Sequence, residues 1–112
     1  MAPAYDELRE ELLALAAADQ AFRSRSVASM SAAVFEQECA SDRARATRIS
    51  EVITAVGWPG ATHVGEDGSA AAWLLVQHAD HDVDFQKRAL LLLKHAVAGG
   101  EATPRDIANP RV

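Results

Sequence analysis

Ala70-Ala71-Ala72-Trp73-Leu74-Leu75-Val76-Gln77-His78, continuing into Ala79-Asp80-His81-Asp82-Val83-Asp84-Phe85, is the stretch on which the fold turns. Every residue from Ala70 to Val76 is apolar. A helix built from them has no face suited to water and belongs at the centre of the molecule. Its closing pair, Gln77-His78, is polar and must either be satisfied inside the protein or face a pocket. Asp82-Val83-Asp84 then has the form of a cap and acidic first turn for another helix, with Phe85, Ala89, Leu92, Leu93 and Ala96 as its buried stripe. Ala70 to Val97 therefore reads as two apolar helices hinged between Gln77 and Asp82.

Upstream the same period recurs. Pro3 stands where a helix can begin, and Tyr5, Leu8, Leu12, Leu15 and Phe22 step along one helical face. Between Leu15 and Phe22 that face carries Asp19, with Arg23 one turn on. This aspartate is either half of a structural ion pair or part of a site. Ser29 or Ser31 can cap a second helix whose inward stripe is Phe35, Cys39, Asp42, Ala46, Ile49, Ile53 and Val56. Asp42 is the second acid on a core position, although a surface helix rotated by one residue, with Arg43, Arg45 and Arg48 neutralising Asp42 from the edge, accounts for it as well. Gly57-Trp58-Pro59-Gly60 stops this helix by a left-handed glycine cap and a proline. Ala61 to Gly68 reads as a loop containing a solvated His63, with Glu66-Asp67-Gly68-Ser69 capping the central helix. Lys94, His95 and Gly99-Gly100 close the last long helix. Thr103-Pro104-Arg105-Asp106 reads as one more short helical turn in a loosely held tail spanning 103–112.

The architecture expected is an all-α bundle of about four helices, three long and the central one shorter, forming a single domain over 1–112. At 112 residues the chain can bury roughly two thirds of its unfolded surface. Alanine richness, few aromatics and scarce β-branched runs favour helices. Lys and Arg number 11 against 16 Asp and Glu, a formal charge of -5, which argues against nucleic acid and against an anionic membrane surface. One cysteine, Cys39, allows no internal disulfide. The N-terminus lacks a signal-peptide pattern and no apolar run approaches the ~20 residues of a membrane span, so a cytoplasmic protein is expected.

Several short motifs occur in a fixed order: Asp19-Gln20-Ala21-Phe22-Arg23, Gly57-Trp58-Pro59-Gly60, Val64-Gly65-Glu66-Asp67-Gly68, Ala71-Ala72-Trp73-Leu74 with Gln77-His78-Ala79, and Asp84-Phe85-Gln86. By these the chain, from Leu8 to Ala102, resembles an uncharacterised family of small bacterial helical proteins classed as a domain of unknown function. In that family a histidine usually stands where this chain has Asp42, and an asparagine where it has Arg45. Its members usually continue into a glycine-, glutamine- and tyrosine-containing tail, where this chain has only Ile107 to Val112. The resemblance implies a divergent, C-terminally short member of actinobacterial, cytoplasmic type and carries no reaction with it.

The residues themselves suggest an acid/base pocket. Asp19 and His78 are the candidate catalytic pair, since histidine moves a proton near neutral pH and an aspartate can orient it or act as base. Arg23 can grip a carboxylate or phosphate, and Gln77, Trp58 and Trp73 can line the pocket for a small aromatic or planar metabolite. The expected function is a small enzyme catalysing a condensation, cyclisation or isomerisation in specialised metabolism. The alternatives are a non-catalytic small-molecule-binding protein and a protein-interaction domain whose apolar faces form a homodimer. Asp19, Asp42 and His78 together resemble a facial triad, and His78-x-x-His81 is a weak metal signal. The carboxylates of this segment already have a use as caps, so no metal and no other cofactor is expected.

Overall fold

The computed structural model describes residues 3–103. They form α1 (Pro3–Ser24), α2 (Ala32–Val56), α3 (Ala61–Gln77) and α4 (Val83–Ala98), with a 3₁₀ turn at Val27–Ser29. No strand occurs among the described residues, so the fold is the all-α bundle expected. Two helices are long, at 22 and 25 residues, while α3 has 17 and α4 only 16. The short turn and tail expected from Pro104 onward lie outside the described residues.

Local chemistry sets most helix ends. Ser31 Oγ accepts the Val34 N–H at 3.2 Å and caps α2. Gly57, at φ 75°, closes α2 and donates its N–H to Ile53 O at 2.9 Å. The Asp82 carboxylate accepts the Phe85 N–H at 3.0 Å, which is the cap its sequence predicts for α4.

The loop expected over Ala61 to Gly68 is instead the start of α3. Gly60, at the N-cap, has no side chain to offer. The missing acceptors arrive from the chain beyond α4: Ala61 N–H goes to Glu101 O at 2.8 Å and Thr62 N–H to the Glu101 carboxylate at 2.9 Å. The Thr62 hydroxyl donates to the same carboxylate. Gly65, at φ 77° and ψ 164°, then interrupts the helix in a region that only glycine occupies readily. Asp67 keeps part of its expected local role by accepting the Gly68 N–H at 2.8 Å, and it also binds Arg9 through a fork of 3.1 and 2.6 Å.

The core joins Leu12 of α1, Ile49, Val52 and Ile53 of α2, Val64, Ala72, Leu75 and Val76 of α3, and Phe85 and Ala89 of α4. Helix α3 is central, packed chiefly on α1 and also on α2 and α4. It does have a wetter side, contrary to expectation. Ala70 is exposed, and Trp73 and Leu74 are half-buried. A chain this short does not enclose an inner helix on every side. The stripe of α2 is likewise buried only in its second half, where Arg45, Ala46, Ile49, Val52 and Ile53 turn inward while Phe35 and Val56 stay exposed. Leu92 of α4 is exposed as well. Among the described residues no helix is long and apolar enough to cross a membrane.

Candidate functional site

Asp19 sits near the end of α1, four residues before Arg23, and is 1 % exposed. His78 is the C-cap of α3. The packing of α3 on α1 brings them together: His78 Nδ1 is hydrogen-bonded to Asp19 Oδ2. The other carboxylate oxygen, Oδ1, accepts from Arg23 Nε at 3.3 Å. Arg23 Nη2 donates in turn to Asp42 Oδ1 at 3.0 Å, and Arg45 Nη2 reaches that same oxygen at 3.5 Å. The groups form one chain, from His78 through Asp19, Arg23 and Asp42 to Arg45. The Phe22 ring is under both guanidiniums, with its centroid 5.6 Å from Cζ of Arg23 and 5.8 Å from Cζ of Arg45.

Exposure grades along this chain. The His78 side chain is 14 % exposed, Asp19 1 %, Arg23 33 %, Asp42 28 % and Arg45 9 %. A carboxylate as buried as Asp19 would destabilise the fold by several kcal/mol if left alone. Here both its oxygens have donors. In a neutral imidazole, the carboxylate at Nδ1 places the ring proton on that nitrogen and leaves the Nε2 lone pair free for proton transfer. Such an arrangement can orient an imidazole and let it accept and return a proton. With a neutral imidazole, the two carboxylates and two guanidiniums balance in charge.

The tryptophans occupy another place. Trp58 donates its indole N–H to Ser69 Oγ at 2.9 Å, and its ring meets Trp73 edge-on, at 6.4 Å between centroids and 61° between planes. Trp73 precedes His78 by five positions, which sets it roughly 140° away around the helix at 3.6 residues per turn. The structure therefore pairs the indoles with each other rather than with the dyad. The Trp73 indole N–H is buried without a hydrogen-bond partner among the described residues. Gln77 is buried as expected, and its backbone carbonyl accepts the Gln86 side-chain amide at 3.0 Å, tying the end of α3 to α4.

A groove of about 420 Å³ runs between α2 and the link from α3 to α4. Its walls include Thr47, Ser50, His81 and Phe85, together with Ala46 and Ala79, the chain neighbours of Arg45 and His78.

The profile of a family of unknown function, DUF6624, matches residues 6–108. The chain belongs to that family. The match extends over Asp19, Arg23, Asp42, Arg45 and His78 alike. No curated protein and no solved structure matches this chain.

In this member of the family the Asp42 carboxylate faces two arginines. Among the described residues no three His, Cys, Asp or Glu side chains are grouped so as to hold a metal ion. His81, three residues from His78, is exposed at the groove rather than turned to the dyad. Arg45, which the sequence offers only as one of three neutralisers of Asp42, is buried. The signal was present in its spacing: Arg45 lies four residues before Ile49 and so shares the buried side of α2. Phe22, which its helical period places on the core stripe, also lies against the two guanidiniums.

Proposed function

We infer that the protein is a small acid/base enzyme in which Asp19 positions His78 and His78 moves a proton on a small metabolite. The observation that carries this reading is the Asp19–His78 hydrogen bond itself, made by a carboxylate that is buried away from water. Through Nδ1 the imidazole is held in one orientation and one tautomer, and Nε2 can then act first as base and afterwards as acid. Condensation, cyclisation and isomerisation all need such a reversible transfer, and a place in cytoplasmic specialised metabolism goes with them. Arg23, bonded to Asp19 and a third exposed, supplies positive charge beside the transfer. Because the indole pair stands on another side of α3, an aromatic substrate is not required by this reading.

The experiment is solvent-exchange screening. A panel of small carbonyl metabolites is incubated with the full chain in deuterated water, and loss of proton signal at acidic C–H positions is followed by NMR. The expected result is exchange in at least one compound, falling by roughly 10²–10⁴-fold in His78→Ala. Exchange that is absent throughout, or that persists unchanged in His78→Ala, refutes the enzyme.

A second reading has its own support. Both oxygens of Asp19 are taken by protein donors, and its bond to His78 joins α1 to α3, so the cluster also suits a structural clamp in a binding or interaction protein. Unchanged exchange together with a lower melting temperature in His78→Ala favours it.

A further inference from the structure

Arg45 is the most enclosed cation of the cluster, with a side chain 9 % exposed and an Nε–H that is buried without a partner among the described residues. In a guanidinium the Nε–H and the adjacent Nη2–H project from the same edge, as a fork that fits the two oxygens of a carboxylate. Arg23 uses that edge fully, Nε on Asp19 and Nη2 on Asp42. Arg45 does not. Its Nη2 has only the long 3.5 Å approach to Asp42 Oδ1, an oxygen already bound by Arg23 at 3.0 Å, and its Nε has nothing. The Phe22 ring lies against both guanidiniums, leaving the edges as the places where an acceptor can bind.

We propose that the Arg45 edge, next to Arg23 and Asp42, is the binding site for the carboxylate group of a small organic acid. A buried guanidinium with an unsatisfied Nε–H is costly, and a ligand carboxylate bonded to Nε and Nη2 removes that cost in the bound state. Asp42, the least enclosed acid of the cluster, then gives up its weak hold on Arg45 and keeps Arg23. A monoanionic, planar head fits better than a dianion, because Asp42 already places a negative charge beside the edge and shares it with Arg23. This deepens the acid/base reading, on which it rests for the role of the ligand as substrate: Arg45 and His78 are the two ends of one hydrogen-bonded chain.

The test is binding, measured apart from turnover. Arginine Nε–H resonances of the full chain are followed by ¹H–¹⁵N NMR at constant ionic strength, with acetate, inorganic phosphate and chloride as probes. The Arg45 resonance is identified by its loss in Arg45→Lys. The expected result is a saturable shift with acetate, a weaker response to phosphate and none to chloride. In Arg45→Lys, which keeps the charge without the fork, acetate affinity monitored on neighbouring backbone amides falls by about ten-fold or more. Asp42→Asn, which removes the competing carboxylate, tightens acetate, and this variant decides the matter if Arg45→Lys does not fold by circular dichroism. Retained acetate binding in His78→Ala supports the carboxylate site even where exchange activity is lost or was never present. The absence of a saturable shift, equal affinity in Arg45→Lys, tighter binding of phosphate than of acetate, or weaker acetate binding in Asp42→Asn overturns the proposal.

Discussion

The imidazole of His78 is held by the carboxylate of Asp19 across 59 residues of chain, and this bond ties the end of α1 to the end of α3. One substitution separates chemistry from architecture at this joint. Asp19→Asn preserves shape while removing the charge that fixes the His78 tautomer. For an acid/base enzyme, the exchange rate of the folded protein is expected to fall by roughly 10²–10⁴-fold. A thermal melt run beside the exchange assay checks it. A clamp without chemistry instead lowers the melting temperature and leaves the activity of each folded molecule intact.

Gly65→Ala is expected to destabilise the protein by about 1–3 kcal/mol, because the backbone there stands at φ 77° and ψ 164°, where a side chain is strained. A Cβ at this position also meets Asp67 Oδ1 at 2.9 Å, disturbing the fork to Arg9. Urea unfolding measures the loss. A variant as stable as the parent shows that the break in α3 is not fixed by glycine.

Trp58→Phe removes the indole N–H bonded to Ser69 Oγ and keeps most of the ring contact with Trp73. Ser69 is 1 % exposed and loses a partner that water does not readily replace. A cost of about 1 kcal/mol in unfolding free energy is expected. Acetate binding should be unaffected, since the indoles stand on a different side of α3 from His78. Binding that weakens along with stability returns Trp58 to the ligand site.

What the sequence disclosed and what it hid follow from distance along the chain. The Ser31 and Asp82 caps act on N–H groups three residues away, so their patterns are visible locally. Asp19 and His78 were visible for a different reason: each is a polar residue where an apolar period predicts burial, and a buried carboxylate needs donors. Arg45 was hidden because an arginine among other charged residues looks like a surface side chain until the helix is oriented. The tryptophans looked like pocket walls because composition gives no direction around a helix. The start of α3 was hidden most thoroughly, since its cap comes from a residue 39 positions on.

That cap gives the protein a pH-sensitive contact. The Thr62 hydroxyl and the Thr62 backbone N–H both donate to the Glu101 carboxylate, and these bonds hold its pKa below the ordinary glutamate range. The Thr62 donors, brought to Glu101 only in the folded chain, favour its charged form. A carboxyl group whose folded value is depressed binds its proton more readily when unfolded, so stability rises with pH through this window. The contribution is complete above the ordinary value of about 4.3 and is lost as the pH falls through the lower folded value. Glu11 beside Arg48 and Asp67 beside Arg9 are depressed in the same direction and add to the same acid limb. Glu101→Gln, neutral at every pH, is expected to lower the melting temperature near neutrality and to reduce the fall in stability on acidification without abolishing it. The solvent exposure of Glu101 keeps the effect modest. Melting curves of both proteins from neutral pH to pH ~3 provide the check, because the two should converge as Glu101 takes up its proton. Parallel curves with no convergence assign the Glu101 contact to shape alone rather than to charge.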